Sequence, residues 1–376
     1  MARPKTTLPE RPRTKPSLSP FRTPAGVILL SRDVYGLARQ VQDDDRGTVW
    51  RLLGLLDGSR TVPDVIELLS KEEPAFQPSE IRRAIGRLQR LGVIEDAAPG
   101  DTGELSSDEL ARYARNFDFF ATATLGTPRS AHELQGRLKK ARVTIVGIGG
   151  TGGTMALSLA ASGVGHLRVI DSDRVELSNL NRQLLFGSHD VGRLKVEVAA
   201  ERLRELNPHV DVVAEAARVE SAADMPGLIR GCDLFLLGAD QPHEILLWTN
   251  DAAYSERVPW LENSYNGLRC AIALFVPGRT PCLRCFQHHL EEGLRAKGFA
   301  EGTELFSSSP ANPVLASTAG VAGHFGALQA MYFLTRLPVA AEGHLLHLNL
   351  WRPSDVQTVS APFWPDCPTC GRIPHP

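Results

Sequence analysis

The stretch Arg142–Lys195 constrains this chain most. It opens on a short apolar run, Val143–Val146, and breaks at Gly147-Ile148-Gly149-Gly150-Thr151-Gly152. A helix-like run of small and apolar residues follows, then a second apolar run, Leu167–Ile170, that ends on Asp171. Strand, glycine turn, helix and strand make a βαβ unit. Its glycines let the backbone approach a phosphate, and the next helix offers its first N–H groups to the anion. An acidic residue closing the second strand can hold a ribose hydroxyl. Asp173, Ser178, Asn179, Asn181, Arg182, Gln183 and Lys195 then form a polar tract past the strand's carboxyl end, where open α/β sheets place their ligands. A dehydrogenase needs no such cations. Arg and Lys at this place suit a triphosphate and the charge that grows on a reacting phosphorus.

Composition narrows the class. The chain has 376 residues, 43% hydrophobic, with a formal net charge of −2. That length allows two domains, and the near-neutral balance disfavours nucleic acid as a partner. No apolar run approaches the roughly 18 residues of a spanning helix, so no membrane partner is expected. The first twenty residues hold five prolines and a net charge of +4, with no apolar core. Residues 1–20 therefore read as a disordered lead-in, not a secretory signal, and a cytoplasmic location is expected.

Residues 21–96 read as a separate small domain. GVILL suggests a hairpin start, and Thr48–Leu56 and Val62–Leu69 have apolar residues at helical spacing. Thr61 is placed as the N-cap of the second helix and Ser79 as that of a third, which carries Ile81, Ile85, Leu88 and Leu91 on one face. Val93-Ile94-Glu95 closes the module as a short strand. A hairpin, three helices and a strand form a winged-helix-like unit. Its eleven Lys/Arg against twelve Asp/Glu lack the electrostatic footprint of a DNA reader, despite Arg82, Arg83, Arg87 and Arg90 on the third helix. Residues 97–104 read as a linker, and 105–376 as the nucleotide domain.

Past Lys195 the chain continues as a helix to Leu206, a strand at Val210–Ala214, and the continuous apolar strand Asp233–Gly238, which suits burial on both faces. Asp240 follows at another carboxyl edge, and an aspartate there can hold Mg²⁺ bridging phosphate oxygens. Strands at Trp260–Tyr265 and Arg269–Val276 begin a more antiparallel half. A polar loop is expected from about Gln287 to Asn312, then an Ala- and Gly-rich helix, Pro313–Leu337, and two closing strands. The fold class is thus α/β: a Rossmann-like, mostly parallel sheet continuing into an antiparallel half. Cys282-Leu-Arg-Cys285 and Cys367-Pro-Thr-Cys370 have the spacing of a tetrahedral zinc site. Four thiolates leave no open position, so the expected role is structural, a staple at the C-terminus. Cys232 and Cys270 read as core, and His288 and His289 as loop residues.

The run GxGGxG, DxDxVxxSNLNRQ, VGxxK and NPH resembles the MoeB/ThiF/HesA adenylyltransferases of the ubiquitin-activating superfamily, over about Leu105–Gly371. The resemblance implies that Gly147, Gly149, Gly150 and Gly152 form the phosphate loop and that Asp171 holds the ribose. It implies that Asp173 and Ser178, Asn179 and Arg182 line the ATP, that Lys195 grips phosphate, and that Asp240 coordinates Mg²⁺. LSSDELARYAR is similar to the family's first helix, whose second arginine, here Arg115, reaches the ATP of a partner subunit; a homodimer is implied. The 21–96 module resembles PqqD-like elements, which take a leader peptide as an added β-strand.

Together these imply ATP- and Mg²⁺-dependent adenylation of a carboxylate on a ribosomally made precursor peptide, as in microcin- and pantocin-type enzymes. A downstream modifying enzyme is a possible further partner. Two alternatives stand beside it: a non-catalytic leader-binding partner of an azoline-forming enzyme, or an activator of a ubiquitin-like sulfur carrier. The sequence after Cys285 has no crossover-loop cysteine, which disfavours thioester and persulfide chemistry but leaves adenylation untouched.

Overall fold

The computed structural model describes residues 8–15, 18–30, 40–72, 75–97, 105–124, 129–299 and 313–372. The chain forms two units, Met1–Gly136 and Arg137–Pro376.

In the first unit, β1 (Pro12–Thr14) is followed by β2 (Phe21–Arg22), β3 (Val27–Leu29) and β4 (Gln40–Gln42). Helices α1 (Thr48–Leu55), α2 (Val62–Glu72) and α3 (Pro78–Arg90) come next, then β5 (Ile94–Asp96), α4 (Ser107–Arg112) and α5 (Ala114–Ala123). Strands β2, β3 and β4 form an antiparallel sheet. Its inward Ile28 and Val41 meet Leu52, Val65, Ile81 and Ile85 of the three amphipathic helices in one core. Thr61 does open α2, exchanging bonds with Asp64: Thr61 N donates to the carboxylate at 2.9 Å and Thr61 Oγ1 accepts Asp64 N at 3.4 Å. The cap of α3 differs from expectation. It is Gln77, because Pro78 supplies the preset φ of a first helical residue and needs no N–H partner there.

The lead-in is also not wholly disordered. Residues 12–14 pair antiparallel with β5, Pro12 opposite Asp96 and Thr14 opposite Ile94. The ribbon has only two strands, so a proline donor is not missed. Arg13 bonds Glu95 at 2.6 Å. Lys15 is 1% exposed and donates to Thr124 Oγ1 at 2.8 Å, beyond the end of α5. That bond and the Asn116–Gln135 bond at 3.1 Å are both made within the first unit, which runs on to Gly136. Residues 98–104 of the expected linker lie outside the described residues.

Helix α6 (Ala131–Lys140) leads into the second unit. There β6 (Arg142–Val146), α7 (Gly150–Ala161) and β7 (His166–Ile170) form the βαβ start. They are followed by α8 (Lys195–Leu206), β8 (Asp211–Glu215), α9 (Met225–Ile229), β9 (Leu234–Leu237) and α10 (Ile245–Glu256). Then come β10 (Trp260–Asn266), β11 (Arg269–Phe275), α11 (Leu283–Arg295), α12 (Ala316–Thr335), β12 (Leu345–Asn349) and β13 (Val356–Val359). The eight strands order as β13-β12-β11-β10-β9-β6-β7-β8. From β10 to β8 the pairs are parallel, and from β10 to β13 antiparallel. The mixed sheet read from the sequence is therefore present. Strand β9 is buried at every residue, as its unbroken apolar run requires.

The expected loop from Gln287 begins instead as helix α11. Its polar residues face water, while Leu283, Cys285 and Phe286 are buried. An amphipathic helix with so narrow an apolar stripe is easily read as loop. His288 is accordingly helical and stacks on Trp364 at 4.1 Å between ring centroids. The remainder of that loop, 300–312, lies outside the described residues. Helix α12 packs on α7 through small residues: a Cβ on Gly323 would meet Thr154 Cβ at 2.5 Å, and one on Gly326 would overlap the Asn263 side chain. Among the described residues no helix is long and apolar enough to cross a membrane.

Candidate functional site

A cavity of about 890 Å³ opens beyond the carboxyl ends of the parallel strands. Gly149, Gly150, Asp171, Asp173, Asn179, Arg182, Lys195 and Asp240 all line it, and so does Gly147. Residues spread over almost a hundred positions therefore meet in one place. Gly152 and Ser178 do not line it.

The glycines divide by task. Gly147 has φ +87°, and its N–H closes the turn on Ile170 O at 2.8 Å. A Cβ there would meet Ala239 N at 2.5 Å, and one on Gly152 would overlap the Gly147 carbonyl. These two let β6, α7 and the end of β9 pack. Gly149 and Gly150 begin α7, with no side-chain cap at Gly149. Its first-turn N–H groups are thus available to an anion.

Asp171 accepts Ile148 N at 2.7 Å on one carboxylate oxygen and Asp173 N at 2.8 Å on the other. Each oxygen keeps a lone pair for a hydroxyl, so the side chain is aimed before any ligand arrives. Lys195, at the start of α8, is 5% exposed and donates to Asp173 Oδ2 at 2.8 Å. Arg182 Nη1 donates to Ser178 O at 3.1 Å and Asn181 Oδ1 at 3.0 Å, which spans the turn. Asn179 serves that turn directly: its Oδ1 accepts Glu176 N at 3.1 Å. Ser178 donates to Glu176 Oε2 at 3.1 Å.

Other residues that line the cavity or support its walls were not read from the sequence. Asp190, fully buried, holds the segment before α8. It accepts Gly187 N at 2.8 Å and Arg193 Nη1 at 3.2 Å; burial works against its ionisation, but these bonds and the nearby cations leave its carboxyl below its usual range. Tyr265 lines the cavity from β10. Burial pushes its hydroxyl up, the Arg182 guanidinium pulls it down, and Asp240 adds a smaller upward push, so the ring sits near both charges. Asn263 Nδ2 donates to Ala322 O at 2.9 Å. Beside it Glu262 is buried, and Ser264 donates to its Oε1 at 2.6 Å. A glutamate directly after the apolar pair Trp260-Leu261 was the visible signal.

Arg115 lies on α5 in the first unit, where its side chain is 95% exposed and pairs with Asp118 at 3.2 Å.

The four cysteines come together as the spacing implied. All are buried, and their sulfurs lie within 4.8 Å of one another. Three pairs stand 3.4–3.9 Å apart, against the ~3.8 Å that a tetrahedron with 2.3 Å zinc–sulfur bonds requires. Hydrogen bonds from Cys282 and Cys370 hold the Cys285 thiol far below its ordinary range, and Trp364 N donates to its sulfur at 3.5 Å. This donor set fits zinc. Cys282 precedes α11 and Cys367–Cys370 follow β13, so an ion there joins the chain's end to the sheet.

The sequence profile of the ThiF family matches residues 121–369. The vegetative HesA protein of Trichormus variabilis is 33% identical over 72% of this chain and 95% of its own length. The SAMP-activating enzyme E1 of Haloferax volcanii is 33% identical over 72% of this chain and 92% of its own. Among solved structures, Escherichia coli MccB with ATP superposes with a TM-score of 0.75 at 22% identity, covering 96% of this chain and 99% of that one. MccB has also been solved with AMPCPP and MccA, with a TM-score of 0.74. At such identity the likeness speaks for the fold alone.

Proposed function

The chain belongs to the ThiF family of ATP-dependent adenylyltransferases, and from that premise we propose that it adenylates a carboxylate of a ribosomally made peptide. One observation carries the reading: an uncapped glycine-rich helix start, Asp171, Arg182, Lys195 and Asp240 all line a single cavity.

ATP would lie with its ribose at Asp171 and its phosphates against Gly149 and Gly150. Asp240, exposed just beyond the end of β9, is the residue that would hold Mg²⁺, and that ion would supply charge neutralisation on the phosphate oxygens. Arg182 and Lys195 stabilise negative charge as the substrate's carboxylate oxygen attacks the α-phosphorus and pyrophosphate leaves. Asp173 holds Lys195 in place through the 2.8 Å bond. The protein contributes position and electrostatics and needs no nucleophile of its own. In our reading Arg115 serves the ATP of a second copy, the four cysteines hold a structural zinc, and the first unit takes the leader peptide.

Peptide, not carrier protein, is favoured by the presence of the first unit and by the lack of any cysteine between Cys285 and Cys367. The relative named as a SAMP-activating enzyme keeps a second reading in view, activation of a small carrier protein. ATP–pyrophosphate exchange with synthetic peptides, set against small proteins ending in Gly-Gly, decides between them. Exchange with peptides, lost in Asp240→Asn and Arg182→Ala, supports the proposal; exchange only with the carriers replaces it, and none with either removes both.

A further inference from the structure

Activation is half of a reaction, because an acyl-adenylate has to be captured. Capture by nitrogen releases a proton that something must take up. The cavity's acidic groups are mostly committed: both Asp171 oxygens accept backbone N–H groups, Asp173 accepts Lys195, and Glu176 accepts Ser178. Glu220 and Asp240 are exposed to water, and Asp240 would be taken up by the metal in the proposed reaction. Glu262 is different. It stands on β10 opposite Leu237 of β9 and Ala273 of β11, 8% exposed. Residues two apart on a strand share a face, so Ser264 lies next along that face toward the strand's tip. Ser264 is exposed and lines the cavity.

The bond between them has a direction. Ser264 Oγ donates its hydrogen to Glu262 Oε1 at 2.6 Å, a short hydroxyl–carboxylate bond. With that hydrogen committed inward, the oxygen's lone pairs are left for a donor arriving from the cavity. Burial and the Ser264 bond are the two influences on Glu262, and burial wins, pushing the carboxyl up to about 7. A base poised near the working pH is the most effective kind.

We propose that Ser264 and Glu262 relay the proton released when a nitrogen nucleophile captures the acyl-adenylate. The inference rests on the adenylation reading above. The nitrogen lone pair forms a bond to the acyl carbon, the bond from that carbon to the phosphate oxygen breaks, and AMP leaves with its electron pair. The nitrogen's proton passes to Ser264 Oγ as the serine's own hydrogen passes to Glu262 Oε1. Ser264 is then the catalytic residue and Glu262 the acceptor behind it. A thiolate nucleophile would need no such acceptor, which accords with the missing crossover cysteine.

The test uses the full-length protein, a synthetic peptide that supports pyrophosphate exchange, and hydroxylamine as the nitrogen nucleophile, with mass spectrometry of quenched single turnovers. Glu262→Gln and Ser264→Ala should keep exchange within a few-fold yet slow hydroxamate formation by about 10²-fold, the lower end for a lost acid–base group. Adenylated peptide should accumulate in both, and Ser264→Thr, which keeps the hydroxyl, should restore turnover. Ser264 is exposed, so its variants keep the test alive if Glu262→Gln fails to fold. Wild-type hydroxamate rates in both variants overturn the relay. Parallel loss of exchange also overturns it, since the pair would then serve the nucleotide. Release of free peptide by the wild type in place of hydroxamate overturns it as well, naming water as the nucleophile. No exchange in the wild type instead removes the adenylation reading.

Discussion

Lys195 Nζ donates to Asp173 Oδ2 across 2.8 Å, with the lysine side chain 7% exposed and the aspartate 65%. The ammonium is held at the cavity wall by an anion that itself faces water. Asp173 therefore acts by fixing where the positive charge sits.

Lys195→Met should cut pyrophosphate exchange by about 10²–10³, the usual loss for one preorganised charge-stabilising donor. Asp173→Asn, which keeps a polar acceptor beside the lysine, should cost less. Equal losses in the two would show that Asp173 does more than hold Lys195.

Two neighbouring glycines should respond in opposite ways to alanine. At Gly147, φ +87° and a 2.5 Å approach to Ala239 N make Gly147→Ala a folding defect, costing on the order of 2–4 kcal/mol by denaturant titration. At Gly149 a Cβ meets nothing closer than Gln183 Nε2 at 3.6 Å. Gly149→Ala should melt like the wild type and lose ATP affinity, read by calorimetry, because the methyl group stands where phosphate approaches.

The cysteine cluster predicts one zinc per chain by elemental analysis. Stripping it with a chelator should destabilise the second unit by several kcal/mol, roughly the scale on which closed thiolate sites contribute to folding. Cys367→Ser should mimic the chelator and leave nothing further for it to remove.

Glu262 ties stability to pH. Burial raises its carboxyl from the ordinary 4.5 to about 7, so the native state binds its proton more tightly than the unfolded chain does. This contribution is complete below about pH 4.5 and is lost as pH rises through about 7, amounting to about 3 kcal/mol at most. Glu262→Gln should flatten that part of the stability profile in denaturant titrations between pH 4.5 and 8.

Lys15 has the opposite sign. Burial pushes its ammonium down to about 8, with Glu95 opposing. The native state sheds this proton first, so stability should rise with pH between about 8 and 10.5. At neutral pH the buried charge is a cost, and Thr124 Oγ1 also donates to Phe120 O at 2.8 Å. Lys15→Met should therefore be neutral or stabilising by about 1–3 kcal/mol, measured by thermal melting.

The parts of the site legible in the sequence were those written within short windows. The glycine loop, the Asn179–Arg182 tract and each CxxC pair announce themselves by spacing. Helix α8 begins at Lys195 as read, and β9 is buried as its apolar run implied. Elsewhere the reading failed where a short, polar or proline-bearing segment takes its structure from a distant partner. Strand β1 exists because β5 lies beside it, and the first turns of α11 are fixed by cysteines that meet Cys367 and Cys370 far along the chain.

By itself the sequence determined which residues carry charge and sulfur, where the backbone can turn tightly, and the βαβ start that aims them at an anion. Those properties are local, set by side-chain chemistry and by the φ that glycine alone adopts cheaply. Only the tertiary structure decided that Gly152 packs while Gly149 borders the cavity, that Lys195 leans on Asp173, and that Ser264 faces the cavity with Glu262 behind it. Each of those depends on distances across the fold between residues whose spacing along the chain carries no such information.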